Sequence, residues 1–264
     1  MAIAPQYRNR LRWRSNPIPS VSVIIAVFNR ARTLQACLNS IFAQTAGPLQ
    51  IIVCDGGSTD GSREIIEENA PRLAWWQSQR DRGVAHAWNI ALEHATGAWV
   101  GFLGADDRLA KPTSMASLLE AASEPAINYV SGQAILVDDE GRARRVVGTG
   151  WDWERMKRYQ HIAHPGSLHR RDLFARWGNF DESYPIACDY DFLLRVGREI
   201  RAAFVAEPVT LMGISGQSNR QAWRAFRENR RIHAAHPEIG ATAAMFNHAV
   251  AAAKQVARSA RGRV

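Results

Sequence analysis

Residues 98–109 read AWVGFLGADDRL, an apolar run of strand length that stops on two adjacent acids, Asp106 and Asp107. A buried strand that ends on charge predicts an open α/β sheet, because such sheets hold their ligands in the crevice at the carboxyl ends of the strands. Two carboxylates held close in a crevice repel each other and raise their own pKa values unless a cation or a ring of donors neutralises them. A hard divalent ion bound through oxygen meets that need and keeps positions open for a substrate's phosphates. A solvated turn that merely ends the strand also carries two aspartates, so the pair alone does not decide between a site and a turn.

The residues upstream supply partners for that strand. The β-branched run at 21–28, VSVIIAVF, predicts a buried parallel strand with a polar exit at Asn29 and Arg30. Leu34, Leu38, Ile41 and Phe42 recur at helical spacing and predict a crossover helix over 31–43. A second apolar run at 49–54 ends on Asp55, which completes a βαβ unit. The loop GGSTDGS that follows lets another backbone approach closely and then opens a helix carrying Ile65 and Ile66. It matches neither dinucleotide-binding nor P-loop spacing, so Asp55 reads as an acceptor for a base or ribose, with plain loop geometry as the alternative. A third strand at 73–76, the charged loop QRDRG at 79–83 and a helix over 84–95 lead back to the central strand. Within that helix Asn89 is mildly unfavourable unless its amide is engaged. Asp55, Asp81, Asp106 and Asp107 are all expected on one edge of a Rossmann-like half.

Beyond Lys111 the pattern changes. A helix at 114–122 is followed by an apolar stretch at 127–130 and a hairpin of 134–137 with 144–147. Residues 148–161 mix tryptophan with charge and predict no element. His164 and His169, with Arg170 and Arg171 beside the second, are candidates for an anion-facing or acceptor-facing patch, the alternative being packed or solvated rings. Asp189 and Asp191 stand near the start of a helix that turns Leu193, Val196 and Ile200 inward. Two residues apart on a helix, they do not share a face, and an N-cap is the simplest role for Asp189.

Composition narrows the class. The chain has 264 residues, 46% hydrophobic and 22% charged, which suits one large globular domain or a domain with an appended subdomain. Three cysteines, Cys37, Cys54 and Cys188, share no close spacing and form neither a disulfide framework nor a zinc motif, which predicts a reducing, cytoplasmic setting. The amino-terminal residues carry charge without the apolar core of a signal peptide. A net charge of +8, concentrated in arginine at both ends, suits an anionic substrate, an anionic membrane surface or nucleic acid. No nucleic-acid-binding motif accompanies it, so nucleic acid is not expected as a partner.

Taken in order, VSVIIAVFNR, IIVCDGGSTDGS, GAWVGFLGADD, HPGSLHRRDLF, GNFDES and CDYDFLLR resemble the inverting family 2 glycosyltransferases of GT-A fold, over about 21–196 and with bacterial surface-polysaccharide enzymes as the nearest type. The resemblance implies an α/β GT-A fold with a mixed central sheet, a nucleotide-diphosphate sugar donor of UDP, GDP or dTDP type, Mn²⁺ or Mg²⁺, and transfer to a hydroxyl of a saccharide or lipid-linked acceptor. Matched by residue, Ala26, Val27, Phe28 and Asn29 would line the nucleotide, Asp55 would meet the base, and Asp81 with Gly83 would support the nucleoside. Asp106 and Asp107 fall on the metal and ribose site, Asp189 on the general base, and His164, His169 and Asp191 are candidates for the acceptor. The chain departs from the family pattern at Gly104, where many members carry the first acid of the DXD site. It departs again at Gly56, at Gln79 and His86, and at Ala187-Cys188. The implied organisation is a donor-binding half over 19–109, an acceptor-binding half over 110–218 and a basic helical extension over 219–264. For that extension, contact with an anionic inner leaflet and packing on the domain are both open. A nucleotidyltransferase and a non-catalytic nucleotide-sugar-binding protein are the rival readings. The segment after the first strand, FNRAR, lacks the glycine- and arginine-rich phosphate loop of the former.

Overall fold

The computed structural model describes residues 21–214, 221–236 and 238–239. The basic amino-terminal arm, the expected boundaries at Pro19 and Ser218, and the extension from residue 240 onward lie outside the described residues.

The run at 21–28 forms β1 (Val21–Val27), buried on both faces as a strand with helices above and below must be. It pairs in parallel with β2 (Leu49–Asp55) and β4 (Trp99–Gly104), and β3 (Trp75–Ser78) pairs outside β2. Val27 lies opposite Asp55 and Ala26 opposite Gly104, so these strands end level and their loops share one edge. The crossovers are α1 (Ala31–Phe42), α2 (Ser62–Asn69) and α3 (Val84–Leu92). Helix α1 buries Leu34, Cys37, Leu38 and Ile41, the stripe its spacing predicts. The alternation along β1 divides the core. Val23 and Ile25 pack with α1 and α4 (Ser114–Ala121), while Ile24 faces α3 and an aromatic cluster that includes Trp88, Phe102, Phe174, Phe180 and Phe192.

Past β4 the sheet becomes mixed. β8 (Ser167–Arg170) runs antiparallel between β4 and β6 (Tyr129–Val137), and β9 (Ala202–Gly213) lies parallel to β6. The two-residue β5 (Arg108–Leu109) pairs with β9, and β7 (Ala143–Val147) pairs with the far end of β6. Among the described residues the remaining helices are α5 (Trp153–Met156), α6 (Asp172–Trp177), α7 (Cys188–Val196) and α8 (Ala222–Ala235). Among the described residues no helix is long and apolar enough to cross a membrane.

Three elements differ from the sequence expectation. The two stretches expected at 127–130 and 134–137 are one strand, β6, whose alternation is hidden by register shifts around Gly132 and Gln133. β9 has no counterpart in the expectation because Glu207-Pro208 interrupts its apolar pattern. The proline is accommodated where the register jumps from Gly132↔Val205 to Gln133↔Pro208. The motif HPGSLHR, read as a polar patch, contains the interior strand β8.

Candidate functional site

The loops after β1 and β2 are laced together by the polar side chains of GGSTDGS. The Asn29 N–H donates to Ser58 Oγ at 2.7 Å, Thr59 N–H to Asn29 Oδ1 at 2.9 Å, Arg30 N–H to Ser62 Oγ at 2.9 Å and Ala31 N–H to Asp60 Oδ2 at 3.0 Å. Asp60 and Ser62 thereby satisfy amides at the start of α1, where Arg30 has no side-chain cap to offer. Asn29 holds φ 51°, a left-handed conformation that is uncommon outside glycine and that Asn tolerates better than most residues. Val27 is buried, Ala26 half-buried, and Phe28 is 54% exposed at the strand end.

Asp55 is fully buried, and its carboxylate accepts from Ser58 N–H at 3.0 Å, from Ser58 Oγ and from Ser78 Oγ at 2.6 Å. Those bonds tie β2 to β3 and use much of its accepting capacity. Asp81 is half-buried and accepts the Gly83 N–H at 2.9 Å. Burial raises its pKa, against the Gly83 amide and the nearby His86. Gly56 makes its position possible: a Cβ there would lie 2.7 Å from Asp81 Oδ2. The absence of a side chain at Gly56 is therefore coupled to where Asp81 sits.

Asp106 and Asp107 fold back over Gly104, where a Cβ would meet Asp106 Oδ1 at 2.8 Å and Asp107 Oδ2 at 3.0 Å. Asp107 is buried and held by backbone on both oxygens, with Gly104 N–H at 2.9 Å on Oδ2 and Gly213 N–H, from the end of β9, at 3.2 Å on Oδ1. Burial and the charge of Asp106 push its pKa up to about 7, despite the two amides and Arg30. Asp106 is placed differently. Its Oδ2 is buried without a hydrogen-bond partner, and Arg30 Nε stands 3.7 Å from it. An orphaned carboxylate oxygen beside a second acid is an unfavourable arrangement for the protein alone, and a bound cation removes the penalty. Among the described residues no three His, Cys, Asp or Glu side chains converge on one point. One or two carboxylates with the remaining positions left to phosphate and water is how Mg²⁺-like ions are commonly held, so the residues present fit a divalent cation.

Asp189 is the second residue of α7 and is half-buried. It is not the N-cap, a place taken by Ala187. Its Oδ1 accepts the Tyr190 N–H at 2.8 Å and its Oδ2 accepts Gln160 Nε2 at 2.7 Å. Gln160 lies in the stretch that predicted no element, and no sequence signal singled it out. The segment leading to α7 touches α3 and the loop before it. Arg82 pairs with Glu182 at 2.6 Å, the position of a Cβ on Gly83 is 3.9 Å from Pro185, and Asn89 both donates to Phe180 O and accepts Phe180 N–H, each at 3.0 Å. Asn89 is thus engaged, as its place in a helix required.

The other acceptor candidates fall elsewhere. His169 has no exposed surface: β8 runs between β4 and β6, and the ring packs against Phe102, Tyr129, Phe174 and Phe192. A ring with no free face cannot meet an acceptor, so its role is packing. His164 is 5% exposed, stands 3.3 Å from His169 between Nε2 atoms, and stacks on Phe102. Burial lowers both histidine pKa values, with the nearby Asp189 opposing this at His164. Arg170 is spent on Asp172 and Arg171 on Gly97 O, so the anion-facing patch does not form. Asp191 is buried and paired with Arg195 at 2.8 Å and His236 at 3.4 Å, which makes it a strut between α7 and the residue following α8.

The family model described as Glycosyl transferase family 2 matches residues 22–184. The chain belongs to glycosyltransferase family 2. It is 35% identical over 182 residues to a PGL/p-HBAD biosynthesis glycosyltransferase of Mycobacterium tuberculosis, covering 67% of this chain and 69% of that one. It is 30% identical over 186 residues to chondroitin synthase of Escherichia coli, covering 68% of this chain and 26% of the much longer relative. Among solved structures it is similar to S. aureus TarS 1-349 in complex with UDP-GlcNAc, with TM-score 0.66, 19% identity, and 81% of this chain and 65% of that one covered. It is also similar to the mannosyltransferase PcManGT of Pyrobaculum calidifontis in complex with GDP-Man and Mn²⁺, with TM-score 0.64, 22% identity, and 92% and 76% covered. This family 2 chain is a glycosyltransferase of GT-A fold. The family match ends at residue 184, ahead of α7 and Asp189.

Proposed function

We propose that this enzyme moves a glycosyl group, with inversion, from a nucleotide-diphosphate sugar to a hydroxyl of a saccharide or lipid-linked acceptor. The observation that carries the reading is the unlike condition of two acids. Asp106 keeps an orphaned, buried oxygen at the end of β4, whereas Asp189 stands half-exposed at the start of α7 with both oxygens oriented by N–H donors.

In this reading Asp106, with Asp107 behind it, would hold Mn²⁺ or Mg²⁺. When bound, the ion stabilises the negative charge that collects on the departing nucleoside diphosphate. Ala26 to Asn29, Asp55 and the loop of Asp81 and Gly83 form the nucleoside-binding edge. Asp189 accepts the proton of the acceptor hydroxyl as its oxygen bonds to the anomeric carbon and the bond from that carbon to the phosphate oxygen breaks, the electron pair leaving with the diphosphate. The Gln160 amide and the Tyr190 N–H fix the carboxylate's direction while leaving each oxygen further accepting capacity. Relatives named for PGL/p-HBAD biosynthesis and for chondroitin synthesis are in keeping with a saccharide or lipid-linked acceptor, and the complexes of TarS with UDP-GlcNAc and of PcManGT with GDP-Man support a UDP- or GDP-linked donor.

A thermal-shift screen of UDP-, GDP- and dTDP-sugars with and without Mn²⁺ tests the proposal. A true donor at a hundredfold its Kd adds about 2.7 kcal/mol to stability by mass action. The expected result is a rise in Tm for one nucleotide class that depends on the cation, with nucleoside diphosphate released on turnover. No shift with any donor refutes the reading.

A further inference from the structure

The helix that carries Asp189 is held by α8, which lies outside the family-matched region. α8 contributes Glu228, 4% exposed, whose Oε2 accepts the N–H groups of Ile186 at 2.8 Å and Ala187 at 2.9 Å. Ala187 occupies the N-cap of α7, where alanine offers no capping group and is among the least favourable choices. The same helix adds His233, 2.8 Å from the Tyr190 hydroxyl, and Arg231, which donates to Ser183 O at 3.2 Å, and His236 just beyond it meets Asp191. These contacts fall at 183, 186, 187, 190 and 191, and so bracket Asp189 on both sides. Among the described residues of α8 and beyond, Glu228 is the one that reaches the backbone immediately before it.

A buried carboxylate carries a desolvation penalty that an apolar residue at the same place would avoid. Two charge-assisted bonds to consecutive amides offset that penalty and fix the peptide planes they belong to. The Glu228 Oε1 is buried without a hydrogen-bond partner, with Arg224 Nε of the same helix 3.3 Å away as its counter-charge. On the reading that Asp189 is the base, we infer that Glu228 is a positioning residue for it: the α8 carboxylate sets the backbone from which the Asp189 side chain departs toward the acceptor hydroxyl. Glu228 acts through the chain and touches neither donor nor acceptor.

The test compares full-length Glu228→Ala, Glu228→Gln and Asp189→Asn with the wild type. Release of nucleoside diphosphate from UDP-GlcNAc, UDP-glucose, GDP-mannose and dTDP-glucose with Mn²⁺ is measured alongside hydrogen exchange of the peptide spanning 183–192. Glu228→Ala is expected to speed exchange at residues 186 and 187 and to lower kcat by roughly 10- to 100-fold, the scale of a small misplacement of a reacting group, with donor KM changed less than about twofold. Glu228→Gln, whose amide oxygen still accepts both bonds, is expected to recover kcat to within about threefold of the wild type. If Glu228→Ala gives no cooperative melt, Glu228→Asp, which shortens the reach by one methylene, replaces it with the same expectation. Unchanged exchange, unchanged kcat, an equal loss in the glutamine variant, or a loss confined to donor KM overturns the inference. Asp189→Asn separates the two claims: if it abolishes release while Glu228→Ala does not, the inference alone fails. If it releases nucleoside diphosphate like the wild type, or the wild type releases none from any donor, the reading beneath it fails as well.

Discussion

Gly104→Ala is a single-atom-scale perturbation with a calculable effect on the acidic pair. The added Cβ would stand 2.8 Å from Asp106 Oδ1 and 3.0 Å from Asp107 Oδ2, where ordinary contact begins near 3.4 Å, so the two carboxylates must retreat by about 0.6 and 0.4 Å. Asp107 has little freedom to do so, because amides of Gly104 and Gly213 hold its oxygens. Overpacking of this kind costs about 1–3 kcal/mol, and each kcal/mol lowers Tm by about 2–4 °C in a domain of this size. The functional effect is more specific: displaced ligand oxygens weaken Mn²⁺-dependent binding of UDP or GDP by about tenfold, equivalent to about 1.4 kcal/mol. Titration calorimetry with each nucleotide, in Mn²⁺ and in EDTA, measures that loss. Gly101→Ala is the control. It lies on the same strand, but its Cβ would meet the terminal methyl of Leu168 at 3.0 Å, so it should lower Tm and leave nucleotide binding alone. Wild-type affinity in Gly104→Ala, or an equal loss in Gly101→Ala, would refute the reasoning.

Two further outcomes follow from the packing. Asn89→Ala removes the amide that serves both backbone groups of Phe180, and is expected to cost about 1–3 kcal/mol in a denaturant melt through the unsatisfied pair; a loss below about 0.5 kcal/mol would show that water replaces it. Burial holds the His164 and His169 pKa values below 6.5 in the folded chain, so the unfolded chain binds more protons as pH falls through 6.5. Their contribution is present above that pH and is lost below it, at up to about 1.4 kcal/mol per pH unit for each ring. His169→Phe is expected to flatten the acid limb of Tm against pH between 6.5 and 5, and an unchanged slope would place the titration elsewhere.

The parallel part of the sheet, β1 to β4, was legible because its signals are local. Continuous β-branched runs, helical spacing in α1 and acids at strand ends each follow from a single stretch of chain, and the observed register brings Asp55 and Gly104 to one edge as that reading requires. The mixed part of the sheet was less legible because its strands are defined by partners. β9 carries a proline at a register jump, and β8 is a four-residue strand whose histidine looks polar until β4 and β6 enclose it. The same limit applies to the site. Residue type singled out Asp106, Asp107 and Asp189 as candidates, but which oxygen of the acidic pair is left orphaned depends on an amide 106 residues away, at Gly213. Gln160 and Glu228 act through contacts that no motif encodes. His169 and Asp191 mark the converse error, polar residues assigned to a site that the fold uses for its own interior.

The most direct test of the division between a donor-gripping acid and a proton-accepting one is a crossed pair, Asp106→Asn and Asp189→Asn, assayed for Mn²⁺-dependent nucleotide binding and for nucleoside diphosphate release. The account predicts that Asp189→Asn binds like the wild type while its turnover falls about a hundredfold or more, and that Asp106→Asn loses binding first. Asp189→Asn turning over at the wild-type rate, or losing nucleotide affinity as Asp106→Asn does, would contradict it.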